Sequence, residues 1–567
     1  MHIMGYAPYG ADGIIIRVEA DLRRGIPGVD ISGLAEGAVR EAKERVRAAF
    51  RNSGFTFPKE RVLINLAPAG VKKEGAALDL PIALAVMAAA GLIPDPGGLM
   101  VLGELELSGR LRPVRGVLAA TAAGLKEGAK GFIVPLENAG EAAILARGLF
   151  SAPCSLSEAV QALVYRHQRG ILPAWHGEAR PGDGGNVGGM AGDGPTGDGA
   201  GGMAGGTSAL YAGDFSEVRG QERYKRALEI AAAGAHNLLV FGPPGGGKTM
   251  LARRFPSIMA PLTPEEAVEV TRLHSLAGRF SGGISGEGGH PALIGTPPFR
   301  SPHHSASAEG IIGGGKQVRP GEISLAHLGV LFLDEAPEYR SPVLRALREP
   351  LEDRVVTISR AEGPLRLPAD FQLILAANPC PCGRLGIPII SGEPDGTQPG
   401  GTQPDNTQPG AKSAGFSGCF CAPDEIYRYW RKIGAPLLDR IELRVPVLPG
   451  SSTLTGKSGE SSPDIARRVC RAVEIQRERY KNTPVRRNSR MTPAMLDRFC
   501  GLDSRTRQLF AAAVKQLGLS GRACHAILKT ARTIADLEAG ETIKELHLLE
   551  AIEHRRLGND PYDILTC

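Results

Sequence analysis

The sequence has few cysteines, few aromatic residues and no long apolar run. Nine Cys among 567 residues are too few for a disulfide scaffold. The N-terminus lacks the basic and apolar regions of a signal peptide. The longest apolar stretch, residues 78–92, contains Asp79 and Pro81 and stays below the roughly 18 uninterrupted apolar residues of a membrane helix. We therefore expect a cytoplasmic protein that does not cross a membrane.

The excess of positive over negative charge is small for the whole chain, but the positive charge is unevenly distributed. A formal net charge of +6 does not by itself indicate a nucleic-acid partner. Nine cations nevertheless fall between residues 465 and 490, against only Glu474 and Glu478: Arg467, Arg468, Arg471, Arg477, Arg479, Lys481, Arg486, Arg487 and Arg490. Such a concentrated basic stretch is typical of nucleic-acid contacts.

Composition divides the chain into several units, as its length also requires. Residues 1–175 alternate short apolar runs with helical spacing, and residues 213–447 repeat that pattern around a Gly-rich motif. Residues 176–212 are rich in Gly and poor in large apolar side chains, which predicts a flexible linker. Three Thr-Gln-Pro repeats predict a disordered insert at about 385–417. Residues 448–567 read as a helical lid.

The Gly-rich motif has the context of a phosphate-binding loop. It follows a short apolar run, precedes a helical segment, and consists of Gly242, Pro243, Pro244, Gly245, Gly246, Gly247, Lys248 and Thr249. Glycines let successive backbone N–H groups turn towards phosphate oxygens at the N-terminus of a helix. Lys248 would supply charge to the phosphates of ATP, and the Thr249 hydroxyl would bind Mg²⁺.

Polar residues follow two further apolar runs. Asp334 and Glu335 follow residues 329–333, and Asn378 follows residues 371–377. Because the carboxyl ends of parallel strands meet at one edge of a sheet, these side chains should lie beside the loop. Asp334 would bind Mg²⁺, Glu335 would polarise the attacking water, and Asn378 would orient it.

This order of motifs resembles an AAA+ ATPase, and longer segments narrow the resemblance. Residues 299–305 (FRSPHHS), 319–327 (RPGEISLAH), 348–352 (REPLE) and 378–383 (NPCPCG) are similar to the magnesium-chelatase-like family called YifB or ComM. Members of that family are implicated in natural transformation and in hexameric branch migration of DNA. The resemblance implies ATP and Mg²⁺ as cofactors, DNA as a partner without sequence specificity, and a homo-oligomer, expected to be a hexamer.

The same resemblance suggests roles for arginines outside the loop. Arg440 resembles the arginine finger that reaches the ATP of a neighbouring subunit, where a guanidinium neutralises the transferring phosphoryl group. Arg522 resembles the sensor-2 arginine of the lid, with Arg532 as a second candidate. The alternative for Arg440 is an ordinary surface arginine.

The N-terminal residues resemble a Lon protease domain. Residues 103–117 and 72–81 carry this resemblance, but Ala77 and Ala120 stand where the catalytic serine and lysine would be. Alanine can neither transfer a proton nor form an acyl-enzyme, so we expect a proteolytically inactive scaffold. Its cations are either phosphate contacts or solvated surface charge: Lys72, Lys73, Arg110, Arg112 and Arg115.

Two Cys-x-Cys pairs flank the Thr-Gln-Pro insert. Cys380 and Cys382 precede it, and Cys419 and Cys421 follow it. Four thiolates drawn together would bind a structural Zn²⁺, whereas the alternative is four reduced thiols near a loop. The other cysteines are scattered and are expected to pack in the interior: Cys154, Cys470, Cys500, Cys524 and Cys567.

A Gly-rich region before Asp334 supplies further candidates for contacts with DNA. His303 and His304 could contact phosphates in the channel of a ring, although loop histidines more often have no such role. Lys316 and Arg319 flank the end of a glycine run and are better suited to track a phosphate backbone.

Three functions remain open from the sequence. The first is an ATP-dependent motor on DNA, the second is a magnesium-chelatase-like ATPase subunit that acts on a partner protein, and the third is a non-catalytic DNA-binding scaffold. The expected fold is α/β and multidomain: a Lon-protease-like α/β domain, an AAA+ P-loop α/β core and a C-terminal helical lid.

Overall fold

A computed structural model describes residues 2–33, 37–69, 73, 76–173, 213–280, 293–315, 319–359, 364–385, 419–447 and 459–557. The predicted linker at 176–212 lies outside these residues, as does all of the predicted insert after residue 385. Lys72, Lys316 and Cys567 are also outside them. The predicted domain boundaries remain predictions.

The N-terminal part is built on a seven-stranded sheet in the order β3-β4-β2-β1-β5-β8-β9. Its strands and one small hairpin are β1 Ile3–Ala7, β2 Ile14–Arg23, β3 Gly28–Ser32, β4 Arg61–Ala67, β5 Leu99–Val101, β6 Glu104–Leu105, β7 Leu111–Arg112, β8 Gly131–Ile133 and β9 Phe150–Ser151. Strand β2 pairs antiparallel with β1 and β4, and the other neighbours are parallel. In β2, buried Ile16 and Val18 alternate with exposed Arg17 and Glu19, so one face of the sheet is polar.

Five helices accompany this sheet: α1 Gly37–Asn52, α2 Asp79–Ala89, α3 Val117–Lys126, α4 Ala139–Ala146 and α5 Leu156–Arg169. Helix α2 is buried from Asp79 to Met87. The Asp79 carboxylate is compensated by the Arg45 guanidinium of α1, whose two nitrogens lie 2.7 and 2.9 Å from its oxygens. This buried bidentate pair fixes α1 against α2.

The central part is built on a five-stranded parallel sheet in the order β11-β14-β17-β10-β18. The strands of this region are β10 Leu238–Phe241, β11 Phe299–Arg300, β12 Gly313–Gly314, β13 Arg319–Pro320, β14 Val330–Leu333, β15 Val355–Ile358, β16 Leu365–Pro368, β17 Gln372–Ala377 and β18 Leu443–Pro446. Strands β10, β14 and β17 are buried along their whole length, which is why they read as continuous apolar runs in the sequence.

Nine helices of this central region lie within the described residues: α6 Glu222–Gly234, α7 Lys248–Arg254, α8 Pro264–Leu276, α9 Ala308–Ile312, α10 Glu322–Leu325, α11 Ser341–Ala346, α12 Arg348–Asp353, α13 Pro423–Arg431 and α14 Ala435–Leu438. The end of α8 joins the central part to the N-terminal part. Leu276 lies in one apolar cluster with Val117 and Phe132, and the Ser275 hydroxyl donates to the buried Glu141 carboxylate.

The C-terminal part is helical, as predicted: α15 Ser462–Tyr480, α16 Pro493–Phe499, α17 Ser504–Leu517, α18 Gly521–Leu537 and α19 Glu545–Arg556. Its apolar residues share one cluster with the central sheet, in which Val469 and Ile527 join Leu238 and Val240. The Gln476 amide of α15 also donates to the carbonyl of Ala233 in α6 at 3.0 Å. The expected α/β class is confirmed.

Within the described residues, the helices lack the combination of length and apolar content needed to cross a bilayer.

Candidate nucleotide site

Three buried parallel strands bring the predicted site residues to one edge of the central sheet. The 242–249 loop follows β10, Asp334 and Glu335 follow β14, and Asn378 follows β17. Strand β17 lies between β10 and β14. The carboxyl edge of such a sheet is where ligands bind in open α/β folds. Side chains separated by as many as 130 positions therefore meet around one loop.

The loop needs glycine at defined positions. Gly245 and Gly247 have φ angles of 79° and 80°, in the left-handed region that L side chains rarely adopt. A Cβ atom at Gly242 would lie 2.0 Å from the carbonyl oxygen of Val447. Gly242 is required because the Val447 backbone approaches it closely. Gly245 and Gly247 are required because the turn needs their positive φ angles.

Lys248 is held inside this loop by its own carbonyls. Its ammonium donates to the oxygens of Gly242 and Pro243 at 2.6 and 2.9 Å, and to Asn378 Oδ1 at 3.2 Å. Burial lowers the pKa of Lys248 to about 8, against the opposing effects of the nearby Asp334 and Glu335 carboxylates. The loop carbonyls are acceptors that phosphate oxygens can replace, so the cation is positioned for a polyphosphate.

Thr249 and Asp334 form the second pair of the site. The Thr249 hydroxyl donates to Asp334 Oδ2 at 2.8 Å. A hydroxyl and a carboxylate oxygen at this separation are donors that Mg²⁺ accepts alongside phosphate oxygens and water. The residues present therefore fit a magnesium ion bound together with a nucleotide.

Glu335 adopts an unusual backbone conformation. Its φ is 50°, in the left-handed region, and its N–H donates to Asp334 Oδ1 at 3.0 Å. A residue with a Cβ atom costs about 1–2 kcal/mol in this region. The side chain is 54% exposed. Strain of this kind is often maintained at functional positions.

Two neighbours of the site were missed by reasoning from the sequence. The buried Tyr224 hydroxyl of α6 donates to the carbonyl of Lys248 at 3.1 Å. Nδ1 of His304 lies 3.7 Å from Oε2 of Glu335, and the His304 ring lies against that of His303, with centroids 4.1 Å apart. Contacts between these histidines and DNA remain a prediction. The proximity of His304 to Glu335 depends on tertiary structure, and no spacing in the sequence indicates it.

Arg440 lies at the opposite edge of the sheet from the loop. Its carbonyl accepts from the Asn237 amide at 2.9 Å, and Asn237 is the residue before β10. The four-residue strand β10 separates this point from the loop by about 13 Å, at roughly 3.3 Å per residue. The Arg440 guanidinium instead contacts Glu352 Oε1 at 2.8 Å. Arg440 therefore faces away from the nucleotide site of its own chain.

Arg522 lies beside Arg440, and Arg532 does not. From the first turn of α18, Arg522 reaches Glu352 Oε1 at 2.6 Å and Asp439 Oδ2 at 3.3 Å. Arg532 is buried within the helical part, where it pairs with Asp536. Of the two sensor-2 candidates, only Arg522 lies at the surface.

Most cations of the basic stretch are paired with carboxylates. Seven of its nine cations pair with carboxylates, most of them distant in sequence: Arg467 with Asp464, Arg468 with Glu229 and Glu460, Arg477 with Glu266, Arg479 with Asp536, Lys481 with Glu478, Arg486 with Glu269, and Arg490 with Asp370. Burial lowers the pKa of Arg487 to about 10. Carboxylates of the same chain therefore neutralise part of this charge, and contact of the stretch with nucleic acid stays a prediction.

The four predicted metal ligands come together at the end of β17. The sulfur atoms of Cys380, Cys382, Cys419 and Cys421 all lie within 4.8 Å of one another. Of the remaining cysteines within the described residues, Cys500 is buried and Cys154, Cys470 and Cys524 are partly buried. The expectation of packing roles agrees with this burial.

In the N-terminal part, Ala77 and Ala120 pack against one apolar cluster. The two alanines that replace the expected protease dyad are thus associated with the same cluster. Lys73 is fully buried, and its ammonium donates to the carbonyls of Gly33 and Pro68. Both alternatives predicted for Lys73, a phosphate contact and a solvated surface charge, are wrong, because its ammonium is bonded inside the protein. Arg112 pairs with Glu106 at 2.7 Å.

The sheet order and the loop at its edge define a P-loop protein of the magnesium-chelatase type. The family described as magnesium chelatase subunit ChlI matches residues 214–391 and 405–453, subunit ChlI of Mg-chelatase matches residues 18–138, and the ChlI C-terminal family matches residues 459–555.

Full-length relatives narrow the family further. Competence protein ComM of Haemophilus influenzae is 36% identical over 557 residues, which cover 97% of this chain and 96% of ComM. YifB of Salmonella typhimurium is 36% identical over 556 residues, with the same coverage of both chains. Lon protease 2 of Bacillus subtilis is 32% identical over 190 residues, or 30% of this chain and 33% of that protease. The chain belongs to the YifB/ComM family of magnesium-chelatase-like proteins, and the resemblance drawn from its motifs is confirmed.

Proposed function

We propose that this protein is an ATP-hydrolysing AAA+ motor that works on DNA as a ring, in branch migration or unwinding during recombination or natural transformation. One observation carries the proposal. Five polar side chains from three parallel strands and one glycine loop converge at the carboxyl edge of the central sheet: Lys248, Thr249, Asp334, Glu335 and Asn378. These are the phosphate-binding, magnesium-binding and water-positioning groups that a single chain of a P-loop ATPase supplies.

Each side chain has a defined task in this proposal. Lys248 exchanges its loop carbonyls for the phosphates of ATP. Thr249 and Asp334 would hold Mg²⁺, which would supply positive charge to the phosphate oxygens. Glu335 polarises the attacking water, and Asn378 orients it. Because Asn378 also accepts from Lys248 at 3.2 Å, the water-orienting group and the phosphate-binding group respond to each other.

Assembly follows from the position of Arg440. A guanidinium at the amino edge of β18 cannot reach the loop at the carboxyl edge of β10 in the same chain, because the whole strand lies between them. We therefore assign Arg440 as a finger that completes the site of a neighbouring copy. This arrangement requires a homo-oligomer, which we propose to be a hexamer.

The substrate assignment rests on the relatives. The name of ComM, a competence protein, supports DNA as the object of the motor and transformation as its setting. The N-terminal part is proposed to be a scaffold without peptidase activity, because Ala77 and Ala120 provide no nucleophile and no base. Arg522 is proposed to act at the same interface as Arg440, because both guanidinium groups contact the Glu352 carboxylate.

A second candidate is an ATPase subunit that acts on a partner protein, as the magnesium chelatase matches on residues 214–391 suggest. One assay separates the two. ATP turnover of the assembled protein is measured with no DNA, with forked DNA and with a four-way junction, together with strand exchange on the junction. The variants are Glu335→Gln and, as a matched control, Glu338→Gln, which removes an exposed carboxylate three positions away.

The motor predicts that junction DNA stimulates turnover, that strands exchange, and that both signals disappear in Glu335→Gln and persist in Glu338→Gln. Turnover that is indifferent to DNA in every variant, but changes when a partner protein is added, would favour the second candidate. Absence of ATP binding by the folded protein under all assembly conditions would refute both.

A further inference from the structure

The four thiols at the end of β17 have the spacing of a metal centre. The sulfur atoms of Cys380 and Cys382 lie 3.4 Å apart, and the sulfur of Cys419 lies 3.6 Å from each of them. Four sulfurs at about 2.3 Å from a tetrahedral Zn²⁺ lie about 3.8 Å apart. A disulfide would instead bring two sulfurs to about 2.05 Å. The geometry is that of ligands around a shared centre.

The backbone around these sulfurs supplies a second, independent observation. The amide of Leu385 donates to Cys380 Sγ at 3.4 Å, and the amides of Arg384 and Phe420 donate to Cys382 Sγ. Gly383, with φ at 75°, allows the turn that precedes the amides of Arg384 and Leu385. Hydrogen bonds to the ligating atoms are the usual support of a metal site, since they orient thiolates and spread their charge.

We propose that Cys380, Cys382, Cys419 and Cys421 bind one structural Zn²⁺, and that this centre positions Asn378 for its part in ATP hydrolysis. Four thiolates favour Zn²⁺ over Mg²⁺ or Ca²⁺, which prefer oxygen. The guanidinium of Arg384 lies 5.8 Å from the Phe420 ring centroid, so side chains close to Cys382 and Cys419 in the sequence contact each other across the two cysteine pairs.

The link to the nucleotide site runs through two contacts of α13. The Trp430 indole of α13 donates to the carbonyl of Pro379 at 2.9 Å, and the Tyr429 side chain of α13 is hydrogen-bonded to the backbone of Asn378. Helix α13 begins at Pro423, two residues after Cys421. The metal would therefore fasten the start of α13 to the end of β17, and α13 in turn holds the backbone that carries Asn378.

A metal ion at this position would offset the entropy cost of closing a long loop. Cys382 and Cys419 are 37 positions apart. Holding the ends of such a segment together opposes loop entropy, which grows with the logarithm of its length. A clip made by a metal offsets this entropy at the base of the segment, directly beside the water-orienting residue.

The test of the metal half uses purified full-length protein after dialysis. We expect about one zinc per chain by mass spectrometry, and intense visible absorption when Co²⁺ replaces it, as tetrahedral thiolate ligation requires. The double variant Cys382→Ser/Cys421→Ser should lose both signals. Cys524→Ser, a partly buried cysteine in α18, should keep both. Iron in place of zinc, or no stoichiometric metal in wild type grown with zinc, would overturn this half.

The proposal that the metal centre positions Asn378 rests on the proposed function. We therefore test it with two measurements, amide exchange and ATP turnover. Chelating the wild-type metal should raise amide exchange at residues 376–380 and reduce ATP turnover by roughly tenfold, with ATP affinity within about threefold, as loss of a supporting shell does elsewhere. Added Zn²⁺ should restore both. Because chelation uses the wild-type protein, the result does not depend on whether a cysteine variant folds.

Unchanged amide exchange after complete metal removal would overturn the positioning half and leave the zinc site standing. If the protein proved to have no ATP turnover at all, metal content and amide exchange would still decide the zinc proposal, so the two failures are distinguishable.

Discussion

Arg440 and Arg522 contact the same atom, Oε1 of Glu352, at 2.8 and 2.6 Å. One arginine follows α14 and the other begins α18, so a single carboxylate of α12 gathers guanidinium groups from the core and from the helical part. The hydrogen bond from Arg440, followed by the nearby Arg522 charge, holds the pKa of Glu352 below its usual value. Both arginines are thereby directed to the edge of the sheet remote from the loop.

Arg440→Ala should reduce ATP turnover by about 10³-fold or more, because arginine fingers contribute 10³ to 10⁵ in rate, while ATP binding is retained. Lys248→Ala should be inactive for lack of binding. Mixing the two inactive variants should recover part of the activity, since some interfaces then combine an intact loop with an intact Arg440. Phosphate release measures the effect. Arg431→Ala, an exposed arginine of α13, is the control, and no recovery on mixing would exclude action between chains.

ATP affinity should depend on pH through Lys248. Its pKa is lowered to about 8 by burial, so the free protein loses this charge as the pH rises above 8, whereas bound phosphates favour the charged form. Binding therefore weakens with rising pH, and the dissociation constant should increase roughly eightfold between pH 7.5 and 9. A fluorescent ATP analogue measures this. Lys248→Met should bind weakly with a flat profile over the same interval, and a flat wild-type profile would contradict the prediction.

Two substitutions that both remove the Glu335 carboxylate should differ in stability. Because φ of Glu335 is 50°, Glu335→Gly relieves backbone strain that Glu335→Ala keeps. The glycine variant should be more stable than the alanine variant by about 1 kcal/mol. Chemical unfolding curves measure the difference, and equal stabilities would show that this backbone conformation is not strained.

The junction between the N-terminal and central parts should depend on Leu276. This α8 side chain is buried in the apolar cluster of the N-terminal part, so Leu276→Ala should lower the free energy of unfolding by about 2–5 kcal/mol. Leu546→Ala, at a residue that is 75% exposed, should change it by about 0.5 kcal/mol or less. An equal effect of the two substitutions would mean that α8 does not hold the junction.

Local sequence patterns predicted the residues of the nucleotide site. The predictions that the structure corrected depend instead on contacts between residues far apart in the sequence. The loop, the pair Asp334 and Glu335, and Asn378 each follow an apolar run, so strand ends could be located without a structure. The density of arginines between 465 and 490 was also local, but their partners were not. Arg479 pairs with Asp536 and Arg490 with Asp370, and no rule of spacing predicts which carboxylate will arrive from far along the chain.

The sequence by itself determined the parallel α/β core, the phosphate-binding loop and the helical C-terminal part, because apolar periodicity and glycine positions act over a few residues. Only the tertiary structure decided that Lys73 is buried, that Arg440 and Arg522 share Glu352, and that four cysteine sulfurs meet beside Asn378. Those outcomes depend on which strands become neighbours and on where each chain segment is buried, and both are set by the packing of the whole protein.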